Sequence, residues 1–383
     1  MKKLIRITTV PISLEKLLED QLKFMNNYFE VIAISSDKDR LDLLGKNQNV
    51  KVYDLELTRK ITPLKDLKAV IKLYKFLKKE NPFIVHTHTP KAGIVGMLAS
   101  YLSRTPNRLH TVAGLPLLEV NGVKRKVLNI VERLTYLCAT KVYPNSKGLK
   151  RIILDCKFTK ENKLKVIGKG SSNGIDTSYF NPRIFSNEEK ENLREELGFS
   201  KKDFVFIFVG RVVGDKGINE LVTAFSKLSK IEENVKLLIV GPYEEELDPI
   251  KPKTKSIINE NKNIITTGFQ KDVRPYFSIS NVLTFPSYRE GFPNVVMQAG
   301  AMGVPSIVTN INGCNEIITD NINGKIIPVK DSDALFDMMR YIMRDHDLHS
   351  NLSKESRKII EENYEREVFW KELLEEYKKL DNV

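Results

Sequence analysis

Residues 204–225 read FVFIFVGRVVGDKGINELVTAF. The first six are aromatic or aliphatic without a break, the composition of a strand covered on both faces, and a helical stretch follows after a glycine-rich turn. Strand, turn and helix in that order make the repeating unit of a parallel sheet wrapped by helices. Gly210, Gly214 and Gly217 let backbone approach a ligand closely, and Arg211 and Lys216 put two cations into the same loop. A helix start preceded by glycine and flanked by cations is a physical anion site. The order GxxxxGK[ST] is absent, as is GxGxxG, so this is neither a nucleotide-triphosphate loop nor a dinucleotide fingerprint. On these residues alone, a turn with solvated charges carries equal weight.

Outward from this unit the alternation continues in both directions. KLLIVG, NIITTG, VLTFPS, PSIVT and GKIIPV follow it, and LIRITTV, FEVIAISS, NVKVYDL, FIVHTHT, RLHTVAG and KVYPNS precede it, each separated by amphipathic stretches. The two series are divided by KVIGKGSSNGIDTSYFNP, rich in Gly, Ser and Asn, which places a hinge near residues 170–200. The fold class is therefore α/β, with two doubly wound Rossmann-like domains facing a cleft: residues 1–175, residues 176–365, and a final helix at 366–383 returning to the first domain. That last helix carries Phe369, Trp370, Leu373, Leu374 and Tyr377 as its apolar side. Leu64, Leu67, Val70, Ile71, Tyr74 and Leu77 give another amphipathic helix, ended at Pro82.

A chain of 383 residues exceeds the size at which one core stops growing, in keeping with two domains. With 41% apolar and 29% charged residues it is neither disordered nor fibrous. The excess of 61 Lys and Arg over 49 Asp and Glu favours an anionic partner: phosphate, an anionic membrane or nucleic acid. Basic residues are spread along the chain rather than interleaved with aromatics in one patch, which argues against nucleic acid. Cys138, Cys156 and Cys314 stand far apart, so a reducing, cytoplasmic compartment is expected. The start MKKLIRITTVPIS is too short and polar for a signal peptide, and membrane contact is expected to be peripheral, on the inner face of the cell membrane. The stretch 121–141 sets Val127, Ile130, Val131, Leu134 and Leu137 beside Lys124, Arg125, Lys126 and Arg133. Such a helix either lies on anionic lipid or packs its stripe inward, and inward packing is the expectation.

A second strand, turn and helix reads VLTFPSYREGFPNVVMQAGAMGVP at 282–305. Glu290 stands just before the helix, and the free amides around Gly291, Phe292, Pro293 and Asn294 face a ligand, Pro293 itself lacking a donor and so suiting the first turn. A carboxylate beside an anion site is odd for phosphate alone and sensible for a sugar phosphate; capping the helix is its other reading. Asp331 in the DSD of residues 331–333 reads as an N-cap, and no metal is assigned.

The combination GRVVGDKG, PSYREGFPNVVMQAGAMGVPSIV and NGCNEII resembles the GT-B glycosyltransferases of family 4, and HTHTPKAG, HTVAG and GSSNGID extend the likeness over almost the whole chain. Within that family it is most similar to bacterial enzymes that extend polyprenyl-diphosphate-linked sugars for capsule, O-antigen or glycan synthesis. The resemblance implies a nucleotide-sugar donor, commonly a UDP-sugar, held mostly by the C-terminal domain, with retention of configuration, no cofactor and no required metal. It implies that Gly210, Arg211 and Lys216 serve the donor diphosphate, that Glu290 meets the donor sugar, and that residues 291–295 form the turn around it. Gln298 stands where the family often has a second Glu on the ribose; an amide still binds a diol, without charge. His110 matches the residue that reaches the donor sugar from across the cleft. His86 and His88 are expected to face opposite sides, His86 into buried structure and His88, with Lys91, towards an acceptor phosphate at the cleft edge. Where the family has a Gly-Gly loop the chain reads TTVPISLEKLL, and Ser13 is expected to cap that helix and touch the acceptor. A nucleotide-sugar 2-epimerase or hydrolase of the same fold is the competing enzyme, and a basic nucleic-acid-binding protein the competing non-enzyme.

Overall fold

The computed structural model describes residues 1–58, 60, 62–115, 117, 120–244 and 248–382. The chain divides into two compact units, Met1–Gly174 with Glu367–Val383, and Ile175–Arg366.

In the first unit the strands are β1 (Lys3–Ile7), β2 (Glu30–Ser35), β3 (Lys51–Asp54), β4 (Ile84–Thr87), β5 (Asn107–Val112) and β6 (Lys141–Pro144). They lie in one parallel sheet of order β3-β2-β1-β4-β5-β6. The second unit has β7 (Phe204–Val209), β8 (Val235–Val240), β9 (Ile264–Gly268), β10 (Val282–Phe285), β11 (Ser306–Thr309) and β12 (Gly324–Ile327), in a parallel sheet of order β12-β11-β10-β7-β8-β9. Counted from its own first strand, each sheet has the doubly wound order 3-2-1-4-5-6, whose strand succession reverses beside the first strand. That reversal leaves a crevice at the strands' carboxyl ends, between the loops after β1 and β4 in one unit and after β7 and β10 in the other. The predicted α/β class is what the chain forms.

The run at 204–209 reads as it does because β7 is central: from Val205 to Val209 it is buried among Phe225, Leu238, Phe277 and Leu283. The last helix, Arg366–Lys379, buries Phe369, Trp370, Leu373, Leu374 and Tyr377 in the first unit's core with Leu4, Leu14, Leu22 and Phe29. Trp370 Nε1 donates to Asn173 Oδ1 at 2.6 Å, which ties this helix to the end of the unit's main segment.

Two helices depart from the expected phase. Pro63–Glu80 buries Ala69, Val70, Leu73 and Leu77 but exposes Leu64, Leu67 and Ile71, because it carries more apolar residues than one face can bury. Gly122–Cys138, expected to pack its apolar stripe inward, instead buries Glu132, Thr135, Tyr136 and Cys138 and leaves Val127, Ile130, Leu134 and Leu137 exposed. The inner face is satisfied by the Tyr136 ring, whose neighbours are His110 and Phe158. All three cysteines are free, and no helix among the described residues is long and apolar enough to cross a membrane.

Candidate functional site

In the second unit the crevice is built by the two stretches singled out from sequence. Gly217 has φ +71°, and a Cβ there would come within 2.1 Å of the Pro286 carbonyl oxygen. Glycine is therefore what lets the helix Ile218–Leu228 begin against the end of β10. Gly313 does the same opposite the turn, where a Cβ would lie 2.4 Å from the Gly291 oxygen. Ser287 and Asn312 fix the turn itself: Thr309 Oγ1 donates to the Ser287 oxygen, and Asn312 Nδ2 donates to the carbonyls of Glu290 and Gly291.

The electrostatics differ from the expectation of two poised cations. Lys216 Nζ is in direct ion pair with Glu290 Oε1, both side chains only 14% and 16% exposed, and the same Glu290 oxygen accepts from Ser287 Oγ at 3.0 Å. Arg211 Nη1 donates to Glu244 Oε2 at 2.7 Å. The loop amides are also taken: Asp215 N donates to Asp248 Oδ2 at 2.6 Å and Gly214 N to the Asp248 carbonyl at 3.0 Å. Carboxylates of the protein thus hold both cations and the Asp215 amide, and the Asp248 carbonyl holds the Gly214 amide.

The helix Asn294–Ala301 starts directly after the turn with Pro293 at its N-cap. The amides of Asn294 and Val295 open it and have no carbonyl within the helix to reach. Phe292 is buried against Tyr364, ring centres 5.6 Å apart, so it anchors the turn from behind rather than facing a ligand. Gln298 is half-buried and its amide makes no hydrogen bond among the described residues. Cys314, also close by, is buried, and that burial, helped by the Glu290 carboxylate, holds its thiol protonated far above the ordinary range.

Glu244 and Asp248 were not singled out from sequence. Both belong to the acid-rich stretch after β8, which reads as a solvated charge run. Only the strand order, which sets the loop after β8 beside the loop after β7, brings them to Arg211 and Gly214.

In the first unit the crevice lies between Thr9 and Thr89, whose hydroxyls meet at 2.7 Å. His86 and His88 do not face opposite sides. Residues two apart on a strand share a face, and their ring centres are 4.2 Å apart. Arg6 is buried there with no acidic partner among the described residues, donating to His88 Nε2 (3.0 Å), the Tyr377 hydroxyl (3.0 Å) and Gln21 Oε1 (2.5 Å). His86 contacts the same Tyr377 hydroxyl and, through Nε2, Thr111 Oγ1 at 2.8 Å. Burial first, and then the Arg6 cation, pushes both imidazoles well below the usual histidine range, so both are neutral. Because His88 Nε2 accepts from Arg6, its ring proton lies on Nδ1, a buried donor with no partner among the described residues, beside a pocket lined by Thr111, Ser171 and Ser172. His88 is thus buried, where a place at the cleft edge was expected.

Lys91 pairs with Asp66, its side chain only 12% exposed, so its charge is already compensated. Ser13 caps nothing: Val10 is the N-cap of Pro11–Leu17, and Ser13 sits inside the first turn, its amide bonded to the Val10 carbonyl at 3.0 Å. His110 lies within β5, buried, with Nδ1 at 2.7 Å from Thr87 Oγ1. Burial pushes its pKa down to about 4, and the ring packs so closely on Gly93 that a Cβ there would be 2.6 Å from Cε1. Asp331 does cap Ser332–Arg344, accepting from the amides of Asp333 and Ala334 at 3.1 and 2.8 Å. No group of three or more His, Cys, Asp or Glu among the described residues could hold a metal ion.

Residues 189–359 match the family description "Glycosyl transferases group 1", and residues 17–146 match "Glycosyl transferase 4-like". The capsular polysaccharide biosynthesis glycosyltransferase CapM of Staphylococcus aureus is 33% identical over 97% of this chain and 96% of its own length. The chain belongs to the group 1 glycosyltransferases. Another relative of this glycosyltransferase, the UDP-Gal:alpha-D-GlcNAc-diphosphoundecaprenol alpha-1,3-galactosyltransferase of Escherichia coli, is 33% identical over 74% of this chain and 72% of its own. Among solved structures, Anabaena HepE in complex with UDP and glucose superposes with a TM-score of 0.81 at 18% identity, covering 99% of this chain and all of that one. The two sheets are accordingly those of the GT-B fold. Family membership decides for glycosyl transfer over the epimerase and nucleic-acid readings.

Proposed function

We propose that the chain is a retaining hexosyl- or N-acetylhexosaminyl-transferase that moves a sugar from a UDP-sugar to a polyprenyl-diphosphate-linked saccharide in bacterial surface polysaccharide or glycan synthesis. The observation that carries the reading is the crevice between β7 and β10, where the Lys216–Glu290 pair, Arg211 and the start of Asn294–Ala301 converge. In its support stand the UDP-Gal donor and diphosphoundecaprenol-linked acceptor in the name of the E. coli relative, and the capsular role in the name of CapM.

In this reading Lys216, Arg211 and the amides of Gly291, Asn294 and Val295 take the donor diphosphate, with Gly210 giving the backbone room and Phe292 and Pro293 fixing the turn. Glu290, released from Lys216, accepts hydrogen bonds from sugar hydroxyls, and the Gln298 amide meets the ribose diol. Breaking the bond between sugar and phosphate leaves negative charge on the diphosphate. Fixed cations and amides stabilise that charge without solvent reorganisation, so the reaction needs no divalent metal. Glu290 is bound to hydroxyls and is not the nucleophile. The acceptor hydroxyl attacks the face from which the diphosphate leaves, its proton passes to a departing phosphate oxygen, and configuration is retained. His110, neutral, serves a sugar hydroxyl by hydrogen bonding alone, and His88 Nδ1–H, with Lys91 and Ser13, serves the acceptor side.

The test is a panel of UDP-sugars offered to purified protein with a polyprenyl-diphosphate-linked acceptor. UDP release, the anomeric configuration of the product by NMR, and the effect of EDTA are read together. Release from one donor, retention and indifference to EDTA are expected. Undiminished turnover in a folded Lys216→Ala variant would sink the donor-site assignment.

A further inference from the structure

The helix Gly122–Cys138 is turned inside out. Towards its own unit it lays Glu132, Thr135, Tyr136 and Cys138, while Val123, Val127, Ile130, Leu134 and Leu137 are 77%, 41%, 64%, 37% and 71% exposed. Their spacing of four, three, four and three residues draws one continuous stripe along the helix. The stripe runs into a groove whose far wall, after the next helix, is made by Leu154 and Phe158. Every charged residue on that groove is basic: Arg133, Lys157, Lys160 and Lys163. Residues 122–163 hold eleven Lys and Arg against three acids, a net +8 of the chain's +12, and one of the three acids, Glu132, lies on the inner face.

An apolar stripe of this length left in water marks a surface that something covers. A second copy would bring the same net positive charge against it. A phospholipid bilayer offers the complementary layering, anionic phosphate outside and hydrocarbon within. We propose that this face docks on an anionic phospholipid bilayer, its stripe inserted at headgroup depth and its lysines and arginines on lipid phosphates. Where the acceptor is lipid-linked, as in the function proposed above, docking brings the enzyme to it. The docking itself is measured with neither donor nor acceptor present, so its failure and a failure of transfer are separately visible.

The full chain is sedimented with vesicles of phosphatidylcholine alone or mixed equally with phosphatidylglycerol. Binding to the mixed vesicles, weakened by salt, is expected. Ile130→Glu with Leu137→Glu abolishes it, and Lys124→Gln with Lys126→Gln lowers partitioning about thirtyfold, from about 1 kcal/mol for each cation lost. Both variants keep the wild-type melting curve and UDP affinity. Equal binding to both vesicle types, binding to neither, or unchanged binding by the Ile130/Leu137 variant overturns the proposal. So does a dimer in light scattering that the same two substitutions dissociate while wild type ignores vesicles, which would assign the face to a second copy.

Discussion

The ion pair between Lys216 and Glu290 lets stability and donor binding be separated in one experiment. Lys216→Met, Glu290→Gln and the double variant are the perturbation. With both side chains about one-seventh exposed, the pair lies between a surface bridge worth at most about 1 kcal/mol and a fully buried one costing about 3–5 kcal/mol to break. Lys216→Met leaves the Glu290 carboxylate with the Ser287 hydroxyl at 3.0 Å, a neutral partner, so a loss of about 2 kcal/mol follows. For a unit of this size that lowers its melting temperature by about 5 °C. The double variant has no stranded charge and regains most of that loss. Affinity for UDP behaves otherwise, because the cation that would meet the phosphate is absent in both. One charge-assisted bond, about 1.5–3 kcal/mol, weakens UDP binding by about ten- to a hundredfold in Lys216→Met and in the double variant alike. Calorimetric melting and titration with UDP read the two quantities. Wild-type UDP affinity in Lys216→Met would refute the donor role, and a double variant as unstable as Lys216→Met would refute the ion-pair arithmetic.

Glu244→Gln removes the competitor of the diphosphate for Arg211; because that pair is 42% and 34% exposed, UDP should bind tighter by no more than about fivefold, and weaker binding would make Glu244 a ligand contact. Gln298→Glu should tighten nucleotide-sugar binding if the residue faces ribose, whereas Gln298→Ala without effect would leave it as helix packing. Gly93→Ala must displace the His110 ring, which costs about 1–3 kcal/mol and should cut turnover more than UDP affinity; equal losses in both would argue against a role confined to the sugar. His110, with its pKa held down at about 4 by burial, should show that midpoint in its imidazole NMR signals, and one near the ordinary 6.5 would refute its burial. The sign follows: the unfolded chain takes up the proton first, so stability is full above about pH 6.5 and about 3 kcal/mol is lost from this residue as pH falls through 4, with His86 and His88 adding in the same direction.

The parts legible in sequence and the parts that were not divide along one physical line. A strand buried on both faces must be apolar throughout, so Phe204–Val209 announces itself, and glycines forced by a close carbonyl, as at Gly217, mark the loop that follows. These are properties of a residue and its chain neighbours. What periodicity cannot supply is the partner. The helix Gly122–Cys138 shows its apolar stripe plainly, but a stripe states only that one face is apolar, not which face meets the sheet, and here Tyr136 and Thr135 fill the inner side. Arg6 in LIRITTV gave no sign of being a buried cation, since its three acceptors come from residues 21, 88 and 377. The same holds at the crevice of the second unit. Lys216 and Glu290, 74 residues apart, were each picked out as meeting a sugar diphosphate, and the geometry joins them to each other. Glu244 and Asp248, invisible in an acid-rich run, fill the remaining positive positions of the loop. Cations are costly to leave uncompensated in a half-buried crevice, and the protein satisfies these with its own carboxylates. Under the function proposed above, donor affinity is then the difference between two sets of ion pairs, and the acids that set it are as much a part of the site as the cations.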